Sequence, residues 1–357
     1  MDAITMWDFS WIERRWPGAG YENWDMILDE LIERGYNAVR IDAFPHLVSA
    51  CKEKEWTLLP VWSQQNWGSP AKNIIQVQPY LNDFIKKCGK RQIKVALSTW
   101  YRQDVDNTRL RINSPAVMAS QWIKTLKTIE QEDLLHHLMF VDLCNEWPHP
   151  LWCPFFENDP DHLGEEGWYT DLSMKWMEEA VEIVRQHFPG IPLTFSFKAN
   201  AQLETRDTGF LDLLEPHIWM AKCNNEEFNK EIKYDFPFFS PEGFEKIVDN
   251  AEKAYKSREK YWKKLLVDEI NWIGKIAREK NIPLVTTECW ALVDYKDWPL
   301  LEWDWIKELC ELGVITALKT GAWSAIATSN FCGPQFHGMW SDIAWHQRMT
   351  GLIREGK

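Results

Sequence analysis

Two glutamates, Glu146 and Glu288, each stand where an apolar segment ends. Glu146 follows the run "LMFVDLC" and Asn145, and Glu288 follows "IPLVTT" 142 positions later (288 − 146). Two carboxylates that reach one pocket can hydrolyse a glycosidic bond, because one protonates the leaving oxygen while the other attacks the anomeric carbon or activates water. Either glutamate alone, among 53 acidic residues, could equally be a solvated loop residue or a helix N-terminal partner. The pair, with a tryptophan close behind each member, favours the chemical interpretation.

Hydrophobic periodicity predicts the elements that position these glutamates. Strands are predicted to start near residues 3, 37, 93, 138, 191, 211 and 283, with one more within 314–329. Amphipathic helices are predicted over 21–35, closed by Gly35, and over 77–90, 114–130, 167–188, 244–280 and 301–313. Strands that alternate with helices form parallel sheets, so eight such units favour an α/β fold, a (β/α)8 TIM barrel built as one domain over residues 1–357. A doubly wound sheet is the alternative, but no GxGxxG or GxxxxGK[ST] motif follows a strand.

A barrel would bring the two glutamates together. Glu146 ends the fourth predicted strand and Glu288 ends the seventh, and these strands lie on facing arcs of an eight-stranded ring. Active sites of such barrels form at the C-terminal ends of the strands. The segments 55–73 and 224–243 exceed ordinary loops, and we expect them to build walls over this face of the barrel.

Composition narrows the class of partner. The net charge of −13 and the pI near 5.3 work against nucleic acid and anionic membrane surfaces, so a small neutral or cationic partner is expected. The start of the chain has no secretory signal pattern and no segment has the apolar length of a membrane span, which predicts a cytoplasmic location. The eight cysteines show no CxxC pair and no metal-type spacing, which predicts reduced thiols without a metal or cofactor. The oligomeric state stays open.

Tryptophan is abundant, with 23 residues, many near predicted strand ends. An indole offers a wide apolar face that suits the C–H face of a sugar as well as it suits a core. Trp100, Trp290 and Trp323 could each be a sugar platform or a core residue. The position of Trp323 depends on whether the eighth strand runs through 314–320 or through 322–329. In the second case Asn330 marks its end and becomes a candidate substrate-binding residue.

Four short motifs carry a family resemblance: "CNEW" on the fourth strand, "TTECW" on the seventh, "NAVRIDAF" on the second and "PHIW" on the sixth. Together they resemble the clan A glycoside hydrolases, the superfamily of the family 5 cellulases, and are most similar to its cellulase-like sugar-binding proteins. The resemblance implies a retaining mechanism, with Glu146 as acid/base and Glu288 as nucleophile. It also implies that Asn145 binds the sugar 2-hydroxyl and that Arg40 lies beneath Glu288 and holds that carboxylate ionised.

The sixth and third strands depart from the family pattern. Family 5 enzymes usually carry His-x-Tyr on the sixth strand, and this chain has His217-Ile218-Trp219. His217 is expected to donate to substrate or to Glu288, with Trp219 also at the substrate. The third strand ends in Trp100 where a histidine is expected. As alternatives, Arg40 could pair with Asp42 or with another core carboxylate, and His217 could be a core histidine.

The predicted function is that of a retaining glycoside hydrolase with a closed, exo-acting pocket for β-linked glycosides or short oligosaccharides. The alternative is a non-catalytic sugar-binding protein on the same barrel, although a binder has no need to bury two carboxylates. A barrel enzyme of another class, such as an aldolase or a metal-dependent isomerase, is a less favoured alternative. An aldolase needs a lysine at a strand end, and Lys198 is the one good candidate for it. A metal-dependent enzyme needs clustered histidines and carboxylates at several strand ends, and the sequence does not show them.

Overall fold

The structure is a computed structural model and describes residues 1–61, 67–156, 167–235 and 240–356. The strands in this part of the chain are β1 (Asp2–Asp8), β2 (Ala38–Asp42), β3 (Trp56–Leu58), β4 (Asn73–Ile75), β5 (Lys94–Ser98), β6 (Leu138–Asp142), β7 (Leu193–Thr194), β8 (Phe197–Lys198), β9 (Pro216–Trp219), β10 (Leu284–Thr286), β11 (Cys289–Trp290) and β12 (Trp323–Ala327). The α-helices are α1 (Ser10–Glu13), α2 (Trp24–Glu33), α3 (Pro45–Ala50), α4 (Tyr80–Lys90), α5 (Pro115–Glu130), α6 (Asp171–His187), α7 (Cys223–Glu231), α8 (Pro241–Lys246), α9 (Glu252–Ser257), α10 (Glu259–Lys280), α11 (Asp304–Thr320), α12 (His337–Trp340) and α13 (Ile343–Glu355).

The parallel strands form a closed ring. One sheet has the order β10-β12-β1-β2-β5-β6-β7, and a second has the order β11-β9-β8. The two sheets are continuous because β7 with β8, and β10 with β11, are successive pieces of the same chain segments, and a parallel bridge joins Leu214 to Leu284. The fifth barrel strand is therefore β7 with β8, the sixth is β9 and the seventh is β10 with β11. The predicted (β/α)8 barrel is confirmed.

The position of the eighth strand is settled by α11. This helix covers 304–320 and ends at Gly321, which has a φ of 66° and so adopts the left-handed conformation that glycine favours. The eighth strand is β12, which pairs in parallel with β1 and with β10. Of the two predicted positions, 322–329 is the correct one, and Asn330 lies three residues beyond the strand.

Local sequence explains where the helices begin and end. Asn23 caps α2 by accepting from the N–H of Met26, and Gly35 follows the same helix with a φ of 84°. The N–H groups of Gly35 and Tyr36 donate to the carbonyls of Ile32 and Leu31, which is the Schellman arrangement. A side chain at Gly35 would meet the hydroxyl of Thr350 at 2.3 Å, so close packing also requires glycine there.

The interior of the barrel is charged at the level where the strands end. All five residues of β2 are buried, and one of them is Arg40. Asp8 at the end of β1 and Asp142 at the end of β6 are also fully buried. Buried charges need partners, so this end of the barrel must hold a network of ion pairs.

The two long segments expected to form walls contain regular structure. The first includes the antiparallel hairpin of β3 and β4, which bonds to the chain after β5 through Leu59 and Gln103 and therefore lies at the C-terminal face. The second begins with α7. Residues 62–66 and 236–239 of these segments lie outside the described part. No helix among the described residues has the length and apolarity needed to cross a membrane.

Candidate active site

Glu146 lies four residues beyond β6, on a backbone that its neighbours fix. Its φ of 46° is in the left-handed region, an uncommon conformation for glutamate that concentrates at functional sites. Its N–H donates to Oγ of Ser196 at 2.9 Å, and Ser196 in turn donates to Asp142 at 2.9 Å. The N–H of Asn145 donates to the carbonyl of Thr99 at 2.9 Å. The ends of three barrel strands therefore hold Glu146 in place, with its side chain 21 % exposed.

Glu288 lies between β10 and β11, with its side chain 7 % exposed. The guanidinium of Arg40 donates to its Oε1 at 2.6 Å. Arg40 therefore lies at Glu288, as the resemblance implied. Among the described residues it also pairs with other core carboxylates, including Asp8 and Glu215, rather than with Asp42.

His217, on β9, joins the two glutamates. Its Nδ1 lies 2.9 Å from Oε1 of Glu146 and 3.7 Å from Oε2 of Glu288. One ligand atom from each of the three residues lies within 4.8 Å of the other two. The carboxylates are thus about as close as those of retaining glycosidases, at about 5 Å, and closer than the 6.5 Å or more that an inverting pair needs.

The surroundings of His217 determine which of its nitrogens carries the proton. Nε2 faces Nη1 of Arg40 at 3.5 Å, and a guanidinium can only donate. Nε2 is therefore the acceptor and Nδ1–H donates to Glu146. Burial lowers the pKa of His217 to about 4, so the ring is neutral at neutral pH.

Burial raises the pKa of Glu288 to about 7. The nearby His217 and Arg40 oppose this rise, whereas the negative charge of Glu146 adds to it. Arg40 acts in the direction that the resemblance implied, since it lowers the pKa of Glu288, but desolvation of the buried carboxylate outweighs it. The guanidinium still aims the carboxylate toward the pocket shared with Glu146.

Three further buried acids belong to this network and were not predicted. Arg40 donates to Asp8 at 3.0 Å and to Glu215 at 2.9 Å, and it lies 3.9 Å from Asp142. Burial raises the pKa of Glu215 to about 8, so this side chain is mostly protonated at neutral pH. Asp8 and Asp142 end apolar strands as Glu146 nearly does, so the same strand-end rule could have found them.

Asn145 is arranged to donate into the pocket. Its Oδ1 accepts from Arg40 at 3.0 Å, which fixes the amide orientation. Its Nδ2 is buried and has no hydrogen-bond partner among the described residues. An unsatisfied buried donor is costly unless a ligand completes it, so this N–H₂ is suited to a substrate oxygen.

Trp219 and Trp100 flank this centre. Trp219 ends β9, and its ring lies edge-on to His217 with 5.6 Å between centroids. The indole N–H of Trp100 donates to Asp8 at 2.9 Å, and its ring lies 4.6 Å from that of Trp152. Trp100 is 8 % exposed, so it contributes one edge of the wall.

Trp290 and Trp323 do not fit the predicted role of sugar platforms. Trp290 has no exposed surface, its N–H donates to the carbonyl of Ala327, and its ring packs directly on Gly313. Trp323 is the first residue of β12, at the opposite end of the barrel from Glu288, and its N–H donates to Thr286. Both are core residues.

Asn330 does lie at the site face. Its N–H donates to the carbonyl of Cys289, the residue after Glu288, at 2.9 Å.

A cavity of about 410 Å³ lies on the side of β8 and β9, and His217, which contacts Glu146, forms part of its wall together with Trp219. The charged or aromatic side chains that complete it include Lys198, Lys222, Glu269 and Trp272. Trp272 is half-buried, and its indole N–H is held by Glu204 at 2.8 Å. The cavity thus combines aromatic rings with several hydrogen-bonding groups, and Lys198 in its wall lies 3.7 Å from Glu226.

Glu146, His217 and Glu288 are also the donor set that could hold a metal ion. Two features oppose that use. Nδ1 of His217 carries a proton that it donates to Glu146, and the guanidinium of Arg40 already neutralises Glu288 at 2.6 Å. A divalent cation would have to displace that proton and tolerate a neighbouring positive charge. The geometry fits an acid–base pair better than a metal centre.

Comparison with solved structures places the chain among barrels of the glycoside hydrolase type. A candidate glycoside hydrolase from Parabacteroides distasonis ATCC 8503 is 54% identical, with 99% of this chain and 93% of that one covered and a TM-score of 0.96. An endo-beta-1,4-mannanase from Thermotoga petrophila is 10% identical, with 100% and 77% covered and a TM-score of 0.58. Thermotoga maritima Cel5A, solved with mannotriose substrate, is 15% identical, with 94% and 91% covered and a TM-score of 0.50. The last two likenesses concern the fold alone.

The family is shown by a direct match. The model of the cellulase-like family, described as sugar-binding cellulase-like, matches residues 4–354, and the chain belongs to this family. A comparison with curated proteins gives no match.

Proposed function

We propose that this protein is a retaining glycoside hydrolase acting on β-linked glycosides, with Glu146 as acid/base and Glu288 as nucleophile. The observation that carries the proposal is the arrangement of Glu146, His217 and Glu288, whose reactive atoms lie within 4.8 Å of one another at the C-terminal ends of the fourth, sixth and seventh barrel strands. This separation supports direct attack by one carboxylate, because it leaves too little room for a water between the pair.

The neighbours suit the two roles. His217 donates to Oε1 of Glu146 and so orients this carboxyl group, which carries the proton that passes to the leaving oxygen. Arg40 orients Glu288 through Oε1, which leaves Oε2 to attack the anomeric carbon and form a glycosyl ester. Once the leaving group departs, Glu146 takes a proton from water and the water cleaves the ester. During both steps, Nδ2 of Asn145 donates to the 2-hydroxyl as positive charge develops on the sugar.

The cavity next to His217 suits a sugar as the leaving group better than it suits an apolar group. The 410 Å³ cavity next to His217 is lined by Lys198, Lys222 and Glu269, whose charged ends can bond hydroxyls. Trp272 offers a partly exposed face to the apolar side of a ring. We therefore infer that the substrate is a disaccharide or short oligosaccharide, with its reducing-end unit in this cavity.

A sugar-binding protein without turnover is the second candidate. The family description names sugar binding, and the sixth strand has Trp219 where family 5 enzymes usually have tyrosine. A pure binder would be expected to keep its affinity when either carboxylate becomes an amide.

The test is turnover by Glu146→Gln and Glu288→Ala on a panel of aryl β-glycosides and β-linked disaccharides. Both variants should lose several powers of ten in kcat/KM, since neither protonation nor covalent attack can be replaced. Azide should restore activity to Glu288→Ala and yield a glycosyl azide of inverted configuration, because the small anion takes the place of the carboxylate. Glu146→Gln should instead keep most of its kcat/KM on substrates whose leaving group needs no proton, while its kcat falls because the water that cleaves the ester has lost its base.

Glu132→Gln, a substitution of a surface glutamate bonded to Lys86, is the matched control and should behave like the wild type. Full activity in either active-site variant would refute the role given to that residue. A wild-type protein that binds β-glycosides and cleaves none of them would favour the second candidate.

A further inference from the structure

Two buried thiols lie in contact at the base of the loop that carries Glu146. Sγ of Cys144 and Sγ of Cys153 are 3.2 Å apart, and the two residues are 0 % and 1 % exposed. A disulfide requires about 2.05 Å between sulfurs, so the pair is roughly 1.1 Å from bonding distance. Cysteines that only fill a core do not need to bring their sulfurs this close together, whereas two cysteines that form a disulfide do.

The pair encloses the residues proposed to act on substrate. Cys144 immediately precedes Asn145 and Glu146, and Cys153 closes the same loop. Within the loop, the indole of Trp152 donates to the carbonyl of Asn145, and the N–H of Cys153 donates to the carbonyl of His149. A bond between the two sulfurs would therefore close a ring around the acid/base.

We propose that Cys144 and Cys153 form a reversible disulfide when the protein meets a two-electron oxidant such as hydrogen peroxide, and that this bond lowers turnover by displacing Asn145 and Glu146. The bond is a modification site additional to the proposed hydrolysis. Only the second half of this inference rests on the proposed function.

The chemistry proceeds in two balanced steps. The sulfur of Cys153 attacks peroxide, so that an S–O bond forms, the O–O bond breaks and the thiol proton leaves in one molecule of water. The sulfur of Cys144 then attacks the sulfenic acid, so that the S–S bond forms, the S–O bond breaks and hydroxide leaves with the second thiol proton as water. Two thiols lose two electrons in total, and peroxide is reduced to two waters.

The loop geometry favours Cys153 as the first sulfur to react. It follows the exposed Leu151 by two residues and precedes the half-buried Pro154, so local opening of the loop can expose it. Cys144 lies in the core at the strand end, and burial raises its pKa well above the ordinary value. It therefore stays a thiol until the sulfenic acid forms beside it.

The effect on turnover follows from the anchoring of the loop. The N–H groups of Asn145 and Glu146 are bonded to Thr99 and Ser196, which belong to other strand ends. Movement of Cys144 toward Cys153 by about 1 Å pulls against these bonds and shifts both functional side chains. Misplacement by about 1 Å can reduce a rate about a hundredfold, so we expect kcat to fall between about tenfold and a hundredfold.

The experiment treats the folded wild-type protein with hydrogen peroxide, alkylates the remaining thiols after denaturation, and analyses tryptic peptides by mass spectrometry. Both cysteines fall in the single tryptic peptide 128–175. The bond is seen as the loss of two hydrogens and of both alkyl groups from this peptide. Turnover should fall in parallel, and dithiothreitol should restore both the thiols and the activity.

Cys153→Ala and Cys144→Ala should each keep their own turnover under peroxide, and using both guards against failure of one to fold. Cys88→Ala, which removes a buried thiol on α4, is the matched control and should respond like the wild type. The exposed Cys51 reports that the oxidant has acted. Oxidation of Cys51 without a bond in peptide 128–175, or loss of turnover that persists in Cys153→Ala, would overturn the proposal. If no glycoside were turned over at all, the proposed function would fail while the bond in this peptide would still support the disulfide.

Discussion

Arg40 is the residue on which the charge balance of the site depends. It is fully buried, and it bonds Asp8, Glu215 and Glu288 at once while also orienting Asn145. A guanidinium presents five donors in a rigid fork, so one side chain can serve four acceptors. An ammonium group on the same strand could reach one or two of them.

Arg40→Lys should therefore impair both activity and stability. We expect kcat to fall by at least about a hundredfold because Glu288 and Asn145 lose their orientation. Loss of charged hydrogen bonds should also reduce the free energy of unfolding by about 3 kcal/mol, measured in urea. Arg102→Lys is the control. Arg102 is also buried and also binds a carboxylate through two nitrogens, but its partner is Glu13 and not Glu146 or Glu288. A similar loss of kcat in both variants would show that Arg40 acts only through stability.

The raised pKa of Glu288 predicts the pH dependence of turnover. As the proposed nucleophile, Glu288 must be ionised, so kcat/KM of the wild type should fall below about pH 7, where this side chain takes up a proton. Part of the rise in the pKa comes from the negative charge of Glu146. In Glu146→Gln, assayed on a substrate whose leaving group needs no proton, this acid limb should move to lower pH. An acid limb at the same pH in both proteins would show that the two carboxylates do not interact.

At the scale of elements, the site depends on where strands end. Glu146, His217 and Glu288 come from barrel strands that are distant in sequence, and the ring brings their C-terminal ends to one face. The left-handed backbone at Glu146 is maintained by bonds to Ser196 and, through Asn145, to Thr99. The site is therefore supported by several strands rather than by one loop.

This dependence explains what the sequence could predict. Apolar runs separated by amphipathic helices were enough to infer the barrel, and the strand-end rule was enough to predict that Glu146 and Glu288 lie close together, as they do in the structure. The same pattern could not show that Trp323 is the first residue of a strand, because the apolar segment around it does not reveal where the strand begins and where it ends. Glu215 was missed because it precedes its strand segment, and its bond to Arg40 crosses the barrel interior.

Trp219 and Trp323 offer a direct comparison between the two ends of the barrel. Both are nearly buried tryptophans in barrel strands, but Trp219 ends β9 beside His217 and Trp323 begins β12. Trp219→Phe should raise KM several-fold, because it alters the wall of the sugar cavity. Trp323→Phe should leave kcat/KM within about twofold and reduce the free energy of unfolding by about 1 kcal/mol through loss of the bond to Thr286. A raised KM in Trp323→Phe alone would contradict this assignment.

For the whole molecule, buried and exposed carboxylates act on stability in opposite directions. Ion pairs at the surface lower the pKa of acids such as Asp25, Asp29 and Glu132. Burial raises the pKa of Asp42 and Glu288 to about 7 and that of Glu215 to about 8. The surface acids stabilise the fold while they are ionised and lose this contribution in acid. The buried acids stabilise it most when they are protonated.

The free energy of unfolding should therefore decrease as pH rises from about 5 to about 8. In this window the unfolded chain, whose carboxyl pKa values are about 4, has released these protons, while the folded protein still holds them at its buried acids. A protein whose folded state binds more protons than its unfolded state loses stability as pH increases, by up to about 1.4 kcal/mol per pH unit for each such group. The net charge of −13 acts in the same sense through self-repulsion. Urea unfolding at pH 5.5 and pH 8 measures the difference.

Glu215→Gln distinguishes two causes of this loss of stability, the ionisation of buried acids and the self-repulsion of the net charge. The amide keeps the size of the protonated side chain and cannot release a proton, so the loss of stability between pH 5.5 and pH 8 should be smaller than in the wild type. Glu132→Gln removes a negative charge from the surface and should leave the loss unchanged. If both variants reduced the loss to the same extent, self-repulsion would be its cause. If neither variant reduced the loss, Glu215 would already be ionised in the folded protein at pH 5.5, and burial would not raise its pKa.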